Sequence, residues 1–184
     1  MAVVRYDFNI LFPLNQMLPA NPGVAVNLNG LPATPGLYLI LNQQDRAENR
    51  YMGISQNVRD RFQGRQGACF ELGFSQQALN NIYAFVGTMT YQNTQTNRNP
   101  PPFNQAPGYV AGSLQFQLDN QPYDLEHLFI KAAQYAWPNG TITNTQKTGV
   151  FTNTGANPID VIFSWPGQQP NQQRITIPNR GQLV

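Results

Sequence analysis

The chain has 184 residues, of which 11% are charged, and its formal net charge is +2. This length suits one domain, or one domain with a modest appendage, and is sufficient for a hydrophobic core. The positive excess is too small to indicate nucleic acid as a partner by itself. One cysteine excludes an internal disulfide and a thiolate metal cluster, and one histidine excludes a multi-histidine metal site.

The N-terminal sequence MAVVRYDFNILFPLNQ lacks the basic, apolar and small-residue order of a signal peptide. No apolar segment approaches the length of a membrane span. We therefore expect a soluble, cytoplasmic protein without a membrane partner. Delivery into another cell is compatible with this expectation.

Residues 1–33 predict an N-terminal extension, because a strand-like start is followed by a stretch punctuated by proline and glycine. The main domain is expected over 34–148, and it opens with a β-hairpin. In GLYLILN at 36–42 every second residue is a leucine, which is the period of a half-buried strand. The polar loop that follows favours a turn, and RYMGIS at 50–55 predicts the returning strand.

A short helix is predicted directly after the hairpin. Asn57 has the position of its N-cap, and Asp60 stands near the capping-box position. Arg61 and Arg65 lie one turn apart, on a stripe of the helix separate from its apolar stripe. The sequence SQQALNN at 75–81 predicts another short helix, which leads into the strand IYAFVGTMTY.

The second half of the chain predicts a long loop at 92–112, a strand SLQFQL and a second main helix capped by Asp124. Residues 149–184 predict three further strands, packed on the same domain. The order of elements predicts an α+β protein, with a small, mainly antiparallel sheet flanked by helices and extra β segments at both ends. The core face of the second helix comprises Leu125, Leu128, Phe129 and Ala132.

Several short sequence motifs occur along the chain in the same order as in a known protein family. GLY at 36–38 and YMG at 51–53 are followed by Arg61 in the first helix, Glu126 in the second and then an asparagine. The chain thereby resembles the GIY-YIG nuclease family over residues 34–146. The resemblance implies a GIY-YIG-like fold and an enzyme that hydrolyses phosphodiester bonds.

Phosphodiester hydrolysis needs a base for the attacking water and positive charge at the phosphoryl oxygens. A tyrosine hydroxyl can be the base where nearby cations lower its pKa, and a guanidinium suits a phosphate. The resemblance makes Tyr38 or Tyr51 the base, Arg61 the phosphate ligand and Glu126 the metal ligand. The expected metal is Mg²⁺ or Mn²⁺, since one or two carboxylates suffice for such an ion. We expect no organic cofactor.

Other residues are expected to contact the DNA. Arg59, Arg65 and Arg50 are candidate phosphate ligands, and Asn144 corresponds to the asparagine of the family, with Asn139 as a competing candidate.

The sequence departs from the family pattern at three positions. Leu37 and Met52 replace the central isoleucines of the two tripeptides, which conserves their apolar character. Arg65 stands where family members often carry a histidine, so that positive charge is kept and a proton acceptor is lost. A tyrosine must then be the base. We interpret His127 as structural, because helix neighbours point in different directions.

We therefore expect a metal-dependent endonuclease that cuts DNA with weak sequence specificity, since neither a zinc finger nor a helix-turn-helix motif is present. A restriction enzyme, a mobile-element nuclease and an antibacterial toxin with an immunity or inhibitor protein all fit this expectation. One alternative is a catalytically inactive nucleic-acid or protein binding module of the same fold, motivated by Arg65. Another is a self-associating β-structured protein rich in Asn and Gln.

Overall fold

A computed structural model describes the protein over residues 1–14, 27–42, 51–63, 82–94, 104–105, 115–138, 157–165 and 172–178. The elements in these ranges are β1 (Ala2–Pro13), β2 (Gly36–Asn42), β3 (Tyr51–Ser55), α1 (Val58–Gln63), β4 (Ile82–Gln92), β5 (Asn104–Gln105), β6 (Gln115–Leu118), β7 (Gln121–Asp124), α2 (Leu125–Ala136), β8 (Ile159–Ser164) and β9 (Gln172–Ile177).

The main sheet has seven strands in the order β3-β2-β4-β1-β8-β9, with β5 attached to β4. Its neighbouring strands are antiparallel except β1 and β8, which run parallel. The remaining pair, β6 and β7, forms a separate two-stranded sheet. The predicted α+β class with a mainly antiparallel sheet is confirmed. None of the helices described is both long and apolar enough to cross a membrane.

The N-terminal strand lies inside this sheet. Residues 2–13, part of the predicted extension, pair with β4 on one side and with β8 on the other. A bulge between Phe8 and Ile10 shifts the register. Even-numbered residues therefore face one side of the sheet before the bulge and the other side after it. The buried side chains before the bulge are Ala2, Val4, Tyr6 and Phe8, and those after it are Phe12 and Leu14.

Each face of the sheet has its own core. On one face α2 packs on Leu37, Leu39 and Met52 of the hairpin, together with the N-terminal half of β1. On the other face α1 and residues 27–35 pack on Tyr38 and the strand residues beside it. Alternation along β2 thus places Leu37 and Leu39 on the α2 face and Tyr38 on the α1 face.

The hairpin before α2 was only partly predicted. Its first strand was predicted within SLQFQL, whereas β7 was not predicted, since the second helix was expected to follow that strand directly. Asp119 and Asn120 have φ values of 52° and 62°, which suits a two-residue turn with both central residues in the left-handed region.

Two of the three strands predicted in the C-terminal segment are present as β8 and β9. The predicted strand VFTNT at 150–154, the predicted short helix at 75–81 and most of the loop at 92–112 lie outside the described residues.

Candidate active site

The two tyrosines of the hairpin lie side by side on the α1 face of the sheet. In the antiparallel register of β2 and β3, Tyr38 is opposite Gly53 and Tyr51 is opposite Ile40. Tyr38 and Tyr51 are therefore diagonal neighbours on the same face. Their ring centroids are 6.1 Å apart, with an angle of 28° between the ring planes.

Gly53 makes room for the ring of Tyr38. A Cβ atom at position 53 would lie only 2.5 Å from Cζ of Tyr38. The ring thus passes directly over the backbone of Gly53. The ring of Phe62 in α1 packs edge-on against the Tyr38 ring, with 5.1 Å between the two ring centroids. Tyr38 is only 1% exposed as a result, whereas Tyr51 is half-buried. A glycine in the interior of a strand is the sequence signal for such a close approach, and the sequence reasoning did not use it.

Local hydrogen bonds set the start of α1. The amide of Asp60 donates to Oδ1 of Asn57 at 3.2 Å, which confirms the predicted N-cap. The amide of Asn57 donates in turn to Oγ of Ser55 at 3.2 Å. Val58 and Phe62 are buried, and Arg61 projects from the exposed side of the helix.

The electrostatic surroundings of Arg61 define the site. Desolvation works to lower the pKa of this guanidinium, but the nearby hydroxyl of Tyr38 and the neighbouring Tyr51 and Glu126 outweigh it, so the pKa is raised. Arginine is protonated in proteins in any case. The significance of the shift is that two hydroxyl groups and one carboxylate lie close to a permanent positive charge.

Glu126 approaches Arg61 from the opposite face of the sheet. It lies in the first turn of α2, where the amide of His127 donates to the N-cap oxygen Oδ1 of Asp124 at 2.8 Å. The predicted cap of α2 is thereby confirmed. This helix contacts β3, the strand at one end of the sheet order. The candidate site therefore lies at the β3 edge, where side chains from both faces meet.

Arg59 has a different environment from Arg61. Its Nε donates to the carbonyl oxygen of Leu31 at 2.9 Å, and its amide donates to the carbonyl oxygen of Pro32 at 3.0 Å. The amide of Val58 donates likewise to Thr34 at 3.2 Å. These bonds hold residues 31–34 against α1. The other predicted DNA-binding residues, which are Arg50, Arg65, Asn144 and its competitor Asn139, lie outside the described residues.

The site contains one acidic side chain, Glu126, that can bind a metal ion. Among the residues that the structure describes, no three His, Cys, Asp or Glu side chains gather in one place. Glu126 offers a single carboxylate in a half-buried position. An ion such as Mg²⁺ can be held by one carboxylate when water and substrate oxygens complete its shell. The donor set therefore fits Mg²⁺ or Mn²⁺.

Comparison of the chain with protein-family models, with curated proteins and with solved structures finds no match.

Proposed function

We propose that this chain is a GIY-YIG-type endonuclease that hydrolyses phosphodiester bonds of DNA. The observation that carries the proposal is the grouping of Tyr38, Tyr51 and Glu126 around Arg61. The four residues come from β2, β3, α1 and α2. Packing alone gives no reason for a carboxylate on the α2 face to approach an arginine on the α1 face. A phosphodiester group, which is an anion attacked by water, needs this combination of charges.

The difference in burial between the tyrosines separates their roles. Tyr38 is almost fully buried and its hydroxyl group lies near Arg61, so we assign to it the positioning of the guanidinium. Tyr51 is half-buried and can meet a water molecule. We assign the base role to the Tyr51 oxygen, because Tyr51 lies beside Tyr38 and near Arg61. It accepts the proton of the attacking water as the water oxygen bonds to phosphorus.

Arg61 balances the charge that develops during this attack. Its planar guanidinium can donate two parallel hydrogen bonds to phosphoryl oxygens. The ester bond between phosphorus and the leaving oxygen breaks, its electron pair stays on that oxygen, and the oxygen takes a proton from solvent water, so that the products are a phosphate monoester and an alcohol. Glu126 would hold the Mg²⁺ or Mn²⁺ ion, which supplies further positive charge at the phosphoryl and leaving oxygens when it is bound.

Several finer expectations belong to the same proposal. We expect weak sequence specificity and action on DNA in a cytoplasm. Either a restriction role or an antibacterial toxin role suits such an enzyme, and the toxin role would require an immunity or inhibitor protein. Expression in cells without such a protein tests the toxin role, because a toxin should stop growth and the Glu126→Ala variant should not, whereas unaffected growth would count against that role.

Cleavage of supercoiled plasmid tests the proposal. We expect nicking with Mg²⁺, none with EDTA and none for Glu126→Ala. Asp60→Asn is the matched control, because it removes an exposed carboxylate beside Arg61 that has no assigned role. Intact plasmid with every metal tried would overturn the proposal and favour the inactive binding module. Equal loss of nicking in both variants would contradict the specific role of Glu126.

A further inference from the structure

The helix that carries Arg61 is too short to be stable by itself. α1 has 6 residues, Val58–Gln63, whereas isolated helices shorter than about 12–15 residues are marginal in water. Its orientation on the sheet therefore comes from contacts with other segments. One contact is apolar, because Val58 and Phe62 are buried in the core that also contains Tyr38. The other is a set of hydrogen bonds with the segment that precedes β2.

This segment comprises residues 28–34, which we call the brace. Leu28 and Leu31 fix it to the core, where they are 6% and 1% exposed. The amide of Leu31 donates to the carbonyl oxygen of Leu28 at 2.9 Å and closes a turn. Carbonyl oxygens of the brace accept hydrogen bonds from the first two amides of α1, which are among those that a helix leaves without partners inside it. The brace thus holds the first turn of α1.

Arg59 joins the brace to α1 through its side chain as well. Its Nε donates to the carbonyl oxygen of Leu31 at 2.9 Å, and its side chain is half-buried, whereas that of Arg61 is exposed. At about 100° per residue, the two arginines leave the helix axis about 200° apart. They lie on opposite flanks of the buried stripe formed by Val58 and Phe62. Arg59 therefore reaches the brace while Arg61 lies near the two tyrosines of the hairpin.

We propose that Arg59 is a positioning residue, which binds the brace instead of DNA and thereby fixes the orientation of α1 that places Arg61 in the candidate site. A rotation of this short helix would displace the Arg61 guanidinium from the phosphoryl group. A displacement of about 1 Å can lower the rate about a hundredfold. The inference rests on the proposed nuclease function and replaces the expected DNA contact of Arg59 with a role in arranging the site.

Two substitutions separate the hydrogen bond of Arg59 from its charge. Arg59→Gln removes the charge, but its amide nitrogen stands at the same place along the side chain as Nε and can still donate to Leu31. Arg59→Met has a similar length and cannot donate. Arg59→Met should lower kcat for plasmid nicking by roughly ten- to a hundredfold with little change in KM, and Arg59→Gln should recover most of the rate.

Two controls belong to this measurement. Lys131→Met removes one positive charge from a half-buried position of α2 and should leave kcat unchanged. Each kcat is referred to the folded fraction of the protein, taken from urea unfolding, so that a loss of global stability alone leaves it unchanged. Full activity of Arg59→Met would overturn the inference.

The salt dependence of DNA binding tests a phosphate contact directly. All proteins in this measurement carry Glu126→Gln, and the probe is a fluorescent duplex of mixed sequence. A phosphate ligand at position 59 would contribute about 0.9 to the slope of log K against log salt. We expect Arg59→Gln and Arg59→Met to keep the slope of the parent. Equal weakening by both variants, with the slope reduced by about 0.9, would make Arg59 a DNA ligand and overturn the inference.

NMR of the arginine side chains gives a readout that does not need cleavage. The Nε–Hε resonance of Arg61 should shift in Arg59→Met and return to its parent position in Arg59→Gln. An unchanged resonance in Arg59→Met would overturn the inference, and the proposed function would stand if the parent protein nicks plasmid. If the parent does not nick plasmid, the proposed function fails, and the Arg61 resonance alone decides whether Arg59 fixes α1.

Discussion

Arg61 and Glu126 approach each other although they come from opposite faces of the sheet. Arg61 belongs to α1, which packs beside Tyr38, and Glu126 belongs to α2, which packs on the other core. The carboxylate is close enough for its charge to contribute to the raised pKa of Arg61. At the β3 end of the described sheet order, side chains from helices on opposite faces can come together. The candidate site therefore depends on the position of β3 at the end of the sheet.

The shape of the Arg61 guanidinium, as well as its charge, should matter for activity. We expect Arg61→Lys to lower kcat by about a hundredfold or more, because an ammonium lacks the planar fork that binds a phosphoryl group. Arg174→Lys, in an arginine paired with Asp160 at the far side of the sheet, is the control and should keep full activity. Single-turnover nicking rates measure both variants. A fully active Arg61→Lys would show that charge alone is required.

The two tyrosines should respond differently to loss of the hydroxyl group. Tyr51→Phe should abolish nicking with little change in the free energy of unfolding, because its side chain is half-buried. Tyr38→Phe removes the buried hydroxyl group near Arg61 and should lower activity in part, because this group is assigned the positioning of the guanidinium. Nicking rates and urea unfolding measure the two effects. Tyr83→Phe, in a half-buried tyrosine of β4, should change neither. Full activity of Tyr51→Phe would contradict the assigned base.

Gly53 should tolerate no side chain while Tyr38 is present. Gly53→Ala places a methyl group against the Tyr38 ring and should cost about 1–3 kcal/mol of folding free energy, together with activity. In the background of Tyr38→Ala the same substitution should cost much less, since the ring is gone. A double-mutant cycle in urea unfolding measures this coupling. Additive free energies would mean that the two positions do not interact.

Asp160 should make stability depend on pH. Burial raises its pKa above the ordinary value of 3.8, and the attraction of Arg174 only partly opposes the rise. Because the folded state binds this proton more tightly than the unfolded state does, the stabilisation from the carboxyl group is complete below pH 3.8. It is lost as the pH rises through the folded-state pKa. We therefore expect Asp160→Asn to gain stability relative to the parent between pH 4 and 7, which urea unfolding at several pH values measures.

Arg174→Gln provides the opposite test of the same carboxyl group. Loss of the neighbouring positive charge should raise the pKa of Asp160 further and lower stability at neutral pH, where the carboxyl group is ionised. At pH 3 the protonated carboxyl group no longer attracts Arg174, so the variant and the parent should converge. A constant difference at all pH values would show that Arg174 contributes through packing rather than charge.

The sequence by itself determined the local elements around the site. Alternating leucines predicted β2, and Asn57 and Asp124 predicted the starts of α1 and α2, the two helices of the described residues. These features depend on hydrogen bonds and side-chain periods within a few residues, so a short window of sequence contains their causes. The same window named Tyr38 and Tyr51 as neighbours on a hairpin.

Only the tertiary structure decided how these elements combine. Three features depend on segments that are distant in the sequence. They are the position of β1 between β4 and β8, the reversal of faces at the bulge near Phe8, and the burial of Tyr38 rather than Tyr51. The approach of Glu126 to Arg61 across the sheet edge also joins residues far apart in the chain. Strand order and packing between faces are set by the total burial of apolar surface, to which many segments contribute at once. A local sequence pattern does not contain this total, so it cannot predict the strand order or the packing between the faces.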